Sequence, residues 1–131
     1  MLSVYIHIPF CRSICTYCDF CKMLYNEKYV DNYLDCLEKE IKERYHNEPI
    51  KTIYIGGGTP SSLTIKELER LLSIIDTLNL EDNYEYTIEC NIEDINIDKI
   101  NLFISYGINR ISFGVESFDK SIQSILGRKH D

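Results

Sequence analysis

Cys11, Cys15 and Cys18 stand at a C-x3-C-x2-C spacing, in a chain with 6 cysteines in all. Three thiols this close point to a metal, because a disulfide needs pairs and an oxidant. Two chemistries compete. Structural zinc wants four ligands, usually as paired knuckles separated by a longer loop, and Cys21 is the available fourth thiol. An iron–sulfur cluster is also built on thiolates at short spacings. Three thiolates on a four-iron cluster leave one iron without a protein ligand, free to bind a small molecule. On that second reading Cys21 is a bystander. Cys36 and Cys90 are expected to be small core residues.

Gly56-Gly57-Gly58-Thr59-Pro60 forms a second motif. Glycines at a strand end let a ligand approach the backbone and leave N–H groups free to donate; a tight strand-to-helix turn is the structural alternative. No Gly-Lys-Ser/Thr follows, which removes a P-loop, and the G-x-G-x-x-G spacing is absent. Glu89 and Glu116 are acceptors for an amine or for ribose hydroxyls; the alternative is a carboxylate paired with a neighbour such as Arg110. Arg128, His7 and His130 say little alone, and His46 is expected to face solvent.

Four short β-like runs position these residues: Val4 to Ile8, Thr52 to Ile55, Tyr84 to Cys90 and Arg110 to Val115. Between them the apolar period becomes helical. Val30, Tyr33, Leu34, Leu37 and Ile41 mark a first helix, stopping near Asn47 before Pro49. Ile65, Leu68, Leu71, Leu72, Ile75 and Leu78 mark a second, with Thr64 and Glu67 as a capping box. A third runs from Asp98 to Tyr106 and stops at Gly107, and a fourth begins near Asp119. Alternating strands and helices predict βαβ units, a parallel sheet and right-handed crossovers. Rhythm alone does not separate an open sheet from a barrel.

Within the strands the alternation sorts two faces. Val4, Ile6 and Ile8 oppose Tyr5 and His7; Tyr86, Ile88 and Cys90 oppose Thr87, Glu89 and Asn91; Ile111, Phe113 and Val115 oppose Ser112, Gly114 and Glu116. One face is aliphatic, and the other turns polar toward the carboxyl end, where parallel α/β folds place their ligands.

The 131 residues suit one domain, and 44% hydrophobic content excludes a disordered chain. No apolar run reaches the roughly 18 residues that cross a bilayer, and the N-terminus has no basic leader. The expected compartment is the cytoplasm, where thiols stay reduced. Lys plus Arg number 14 against 21 Asp plus Glu, a formal charge of −7. With the basic residues scattered, nucleic acid is not an expected partner. The chain stops just after a fourth helix begins, so we expect residues 1–131 to be the N-terminal part of a longer domain.

Several motifs together carry a family resemblance. Tyr5-Ile6-His7-Ile8-Pro9-Phe10-Cys11 with Cys15, Tyr17, Cys18, Asp19 and Phe20 is the first. Gly56-Gly57-Gly58-Thr59-Pro60-Ser61, Glu89-Cys90-Asn91, Gly107-Ile108-Asn109-Arg110 through Gly114-Val115-Glu116-Ser117-Phe118, and Gly127-Arg128-Lys129-His130 follow in order. The whole chain resembles the radical S-adenosylmethionine (SAM) proteins of the oxygen-independent coproporphyrinogen III oxidase family. The start close to the first strand and Asp19-Phe20 after the third cysteine are similar to the heme-chaperone branch more than to the oxidase branch.

The resemblance implies an α/β fold: an incomplete radical SAM barrel, about four βα units of a partial (β/α)6 TIM-like barrel. It implies that Cys11, Cys15 and Cys18 hold a 4Fe-4S cluster whose open iron takes the amino and carboxylate groups of SAM. Gly57, Gly58 and Thr59 would contact the methionine part, and Tyr5, Tyr17, Glu89, Glu116 and Arg128 fall where the family binds SAM. In the radical enzymes an electron from the cluster cleaves the sulfonium. The oxidase branch then decarboxylates a porphyrinogen; the chaperone branch binds heme and delivers it. An electron donor is a further implied partner. Two departures stand out: Glu116 occupies a position where the family commonly has glutamine, and Ile92 replaces a proline. A zinc-stabilised interaction module is the alternative from outside the family, and the acidic balance argues against a radical SAM enzyme acting on RNA.

Overall fold

The computed structural model describes residues 2–11, 23–24 and 26–113. Its elements in chain order are β1 (Leu2–Ile8), β2 (Phe10–Cys11), β3 (Met23–Leu24), α1 (Glu27–Arg44), β4 (Ile50–Gly57), α2 (Ile65–Ile75), β5 (Leu80–Cys90), α3 (Ile97–Ser105) and β6 (Arg110–Phe113). Short 3-10 turns at Pro60–Ser62 and Ile92–Asp94 follow β4 and β5.

The four long strands pair in parallel in the order β1-β4-β5-β6. Each new strand joins the same side of its predecessor. An open, doubly wound sheet reverses direction at a switch point; this one does not. α1 packs on α2 and α2 on α3, so the helices lie along one face. A singly wound sheet with one helical layer is the arrangement of a β/α barrel, which resolves the ambiguity left by the strand–helix rhythm.

The core lies between that face and the helices. Ile6 and Ile8 of β1, Ile53 and Ile55 of β4, and Tyr86, Ile88 and Cys90 of β5 are buried against Val30 and Leu34 of α1, Leu68, Leu71, Leu72 and Ile75 of α2, and Phe103 of α3. Asn26 caps α1 by accepting from the amides of Lys28 at 3.0 Å and Tyr29 at 3.3 Å. The capping box of α2 is present in both directions, from the Thr64 amide to Glu67 at 2.9 Å and from the Glu67 amide to Thr64 at 3.1 Å. α3 gives way to Gly107 at φ 89°. Asn109 sets β6 in register: its side chain accepts from the Tyr86 amide at 2.8 Å and donates to the Tyr84 carbonyl at 3.0 Å.

Several boundaries differ from expectation. α1 ends at Arg44 rather than near Asn47, where a left-handed Asn47 (φ 65°) turns the chain toward β4. α2 ends at Ile75, short of Leu78. β5 begins at Leu80, four residues before the expected start, and a register shift between its contacts at Ile50 and Thr52 accommodates the polar stretch Glu81–Asn83. Cys36 is not a core residue: it is exposed on α1. Phe113, expected on the aliphatic face, is 44% exposed, since none of the described residues covers the far side of β6. Val115 and the helix expected from Asp119 lie outside the described residues, and no described helix is long and apolar enough to cross a membrane.

Candidate functional site

The inner face of the sheet, opposite the helices, gathers the polar residues. In register, Tyr5 of β1 lies beside Tyr54 of β4, and Tyr54 beside Thr87 of β5; His7 lies beside Gly56, and Glu89 beside Ser112. Tyr5 stacks on Tyr54 with ring centroids 5.9 Å apart and planes 16° off parallel. The Tyr5 hydroxyl lies 3.3 Å from His7 Nδ1. Tyr5 remains 57% exposed, so one ring face is open.

Glu89 is the centre of this face. Its Oε2 accepts from the Tyr54 hydroxyl at 2.6 Å, and its Oε1 accepts from the Gly57 amide at 3.3 Å. Burial, followed by the Glu89 hydrogen bond and charge, pushes the Tyr54 ionisation above the ordinary tyrosine value. Burial and the same charge do so for Tyr5. Both phenols are therefore held neutral beside a carboxylate. Arg110 does not pair with Glu89; it pairs with Glu85 at 3.0 Å. Thr87 sits on the polar face as expected but is almost wholly covered.

The glycine run has a cause the sequence concealed. The Gly58 amide donates to the Ile8 carbonyl at 2.6 Å and the Thr59 amide to the Phe10 carbonyl at 2.8 Å. With Gly57 donating to Glu89, the three N–H groups expected to be free for a ligand are engaged by the protein. A Cβ on Gly58 would lie 2.6 Å from the Phe10 carbonyl oxygen, and Gly57 (φ +113°) has the His7 ring where its own Cβ would be. What approaches the glycines is the chain itself, at the residues leading into Cys11. Among the described residues the Thr59 carbonyl is also engaged, accepting from the Ser62 amide at 2.9 Å and the Ser62 hydroxyl at 2.7 Å; the backbone acceptors of this rim are the carbonyls of Gly57 and Gly58.

A second clamp fixes this rim to β5. The buried Ser61 hydroxyl accepts from the Asn91 amide at 2.8 Å and lies 3.4 Å from Asp94 Oδ2, while Lys99 Nζ donates to the Ser61 carbonyl at 2.6 Å. Beneath it, burial drives the Cys90 thiol up to about 12, against the opposing hydrogen bond from Ser61 and the Lys99 charge. Cys90 is thus the inert core thiol expected of it.

Cys11 ends β2, and its backbone pairs with Leu24 in the two-residue parallel ladder of β2 and β3. The chain entering and the chain leaving segment 12–22 are thereby held side by side, a neck the sequence did not announce. Tyr17, Cys15, Cys18, Cys21, Glu116, Arg128 and His130 lie outside the described residues, as does the Cys11 side chain. Among the described residues no group of three metal-binding side chains converges. The structure brings together Tyr5, Gly57, Gly58, Thr59, Glu89 and the Cys11 backbone at one end of the sheet. His46 is exposed, as expected. Tyr54 was missed, although the alternation of Ile53 and Ile55 in its own strand places it on the polar face.

The Radical SAM superfamily model matches residues 5–131. Heme chaperone HemW of Lactococcus lactis subsp. lactis (strain IL1403) is 43% identical over 129 residues, which cover 98% of this chain and 34% of that protein. HemW of Bacillus subtilis (strain 168) is 40% identical over 135 residues, 99% of this chain and 36% of that one. The solved structure of coproporphyrinogen III oxidase (HemN) from Escherichia coli, a radical SAM enzyme, has TM-score 0.79 and 32% identity, covering 98% of this chain and 31% of that one. The chain therefore spans about a third of the length of these relatives. With nearly every residue under the family model, and the strand order of a β/α barrel independently in place, the chain belongs to the radical SAM superfamily.

Proposed function

We propose that residues 1–131 are the N-terminal part of a radical SAM core domain in a cytoplasmic protein of heme metabolism, of the heme-chaperone branch. Cys11, Cys15 and Cys18 would hold a 4Fe-4S cluster. Glu89 would accept from the amino group of SAM, and the backbone at Gly57, Gly58 and Thr59 would contact its methionine part. Tyr5, Tyr17, Glu116 and Arg128 complete the SAM contacts, with Arg128 suited to a carboxylate.

The observation that carries this reading is the carboxylate of Glu89 on the open inner face, bonded to the glycine rim whose next amides hold Ile8 and Phe10, the residues leading to Cys11. The donor set fits the group. Among the described residues Glu89 accepts one hydrogen bond on each oxygen, which leaves acceptor capacity on each; the carbonyls of Gly57 and Gly58 line the glycine rim; the open face of Tyr5 suits a sulfonium cation. Soft thiolates suit iron–sulfur. When bound, the cluster supplies an open iron and single electrons. The chain's own part is to bind and orient: the Gly58 and Thr59 amides pin the strand leading to Cys11, and Glu89 and Tyr5 offer a cation acceptor surface.

Heme or a porphyrinogen is the proposed further ligand, and an electron donor the proposed partner. The higher identity to the two HemW proteins, and Asp19-Phe20 after Cys18, favour the chaperone branch. The match to HemN keeps coproporphyrinogen oxidation as the second reading. The test is anaerobic reconstitution with iron and sulfide, followed by metal and acid-labile sulfide analysis. Iron and sulfide in equal amounts are expected for the wild type, and neither for Cys15→Ala, whose two remaining motif thiolates are too few. Zinc without sulfide, or a full cluster in Cys15→Ala, would contradict the assignment.

A further inference from the structure

We propose that Tyr54 is a positioning residue for Glu89, its hydroxyl fixing the direction in which the carboxylate meets a cationic ligand. The inference rests on the reading of Glu89 as an acceptor for the amino group of SAM, and extends it to a residue that acts through Glu89.

Tyr54 and Gly57 belong to the same strand and place one donor on each oxygen of Glu89, at 2.6 Å on Oε2 and 3.3 Å on Oε1. Two donors from one rigid element define the plane of the carboxylate, because rotation about its last carbon–carbon bond would break both. The shorter contact lies in the range of a charge-assisted O–H···O⁻ bond, about 2.5–2.7 Å. What remains on each oxygen is acceptor capacity, directed away from β4.

The ring of Tyr54 is fixed in turn. It stacks on Tyr5, and Gly56 makes room for both: a Cβ there would fall 2.8 Å from Tyr54 Cε1 and 3.2 Å from the Tyr5 ring. The Glu89 charge bears on every titratable group around it for which an effect is resolved: Tyr54 and Tyr5 on its own face and Cys90 behind it. The Ser112 hydroxyl of β6 acts on the Tyr54 oxygen in the opposite sense. Ring and hydroxyl thus have separable roles, the first in the stack and the second on the carboxylate.

The test is a double-mutant cycle on SAM affinity in the cluster-reconstituted chain, using wild type, Tyr54→Phe, Glu89→Gln and the double variant. Phenylalanine keeps the stacked ring and removes only the hydroxyl. Tyr54→Phe is expected to weaken SAM binding about tenfold, but roughly twofold or less once Glu89 is glutamine. In the cofactor-free protein, NMR of tyrosine ring carbons should show the Tyr54 ionisation moving down toward the ordinary value in Glu89→Gln. Equal losses in both backgrounds, or an unmoved Tyr54, would overturn the inference. Glu89→Gln binding SAM as well as wild type would overturn the reading of Glu89 beneath it.

Discussion

Ile55 and Tyr54 are consecutive in β4 and belong to different worlds. Ile55 is wholly buried in an aliphatic layer under three helices, while Tyr54 looks onto a half-open face and holds a carboxylate. The same alternation splits Ile88 from Glu89 and Ile6 from Tyr5. The outer face is a packing surface whose aliphatic side chains are covered by the helices. The inner face keeps acceptors with lone pairs to spare and an aromatic ring with one side open, the condition of a surface that expects a ligand. One strand period thus divides stability from function.

The rim that joins the two faces offers the sharpest way to break this division. Gly58→Ala puts a methyl group 2.6 Å from the Phe10 carbonyl oxygen, a backbone atom that cannot swing aside. We expect a cost of about 3 kcal/mol and a cluster yield that falls further than helix content does, because the strand leading to Cys11 must move. Cluster assembly at the wild-type level would show that the rim does not position the cysteine.

A smaller effect of opposite sign is expected on the outer face. The Tyr86 hydroxyl is buried with no hydrogen-bond partner among the described residues. Tyr86→Phe removes that burden and should stabilise the chain by about 1 kcal/mol near neutral pH. It should also change the alkaline limb. Burial, then the charges of Asp76 and Tyr84, raise the Tyr86 ionisation above its ordinary value of 10.0. Its contribution is complete below that value and is lost as the pH rises toward the folded one. Urea midpoints across alkaline pH should therefore fall less steeply in Tyr86→Phe, leaving the decline due to Tyr5, Tyr33 and Tyr54, which are also raised. An unchanged slope would mean that Tyr86 ionises freely in the folded state.

The two faces were legible wherever the strand was long enough to show its period. Ile6 and Ile8, and Ile88 and Cys90, announced the core, and the Thr64–Glu67 capping box announced the start of α2. Cys36 was misread from residue type alone: it sits two positions from Leu34, about 200° around the helix, on the far side from the buried stripe. The glycine run was legible as a place of close approach, but composition cannot say what approaches, and on the side of Gly58 it is the Phe10 backbone of the chain itself. Tyr54 escaped because aromatic residues in strands usually read as core, and only its partner Glu89, thirty-five residues away, gives it a role. The β2–β3 neck was invisible, since a two-residue ladder leaves no periodic signal.

The central claim is that the inner face binds SAM beside a cluster held by Cys11, Cys15 and Cys18. It is tested most directly by EPR of the anaerobically reconstituted, reduced chain, recorded before and after adding SAM. A 4Fe-4S signal that changes with SAM in the wild type, and needs at least about tenfold more SAM for the same change in Glu89→Gln, is the predicted result. A cluster signal indifferent to SAM in the wild type would contradict the claim.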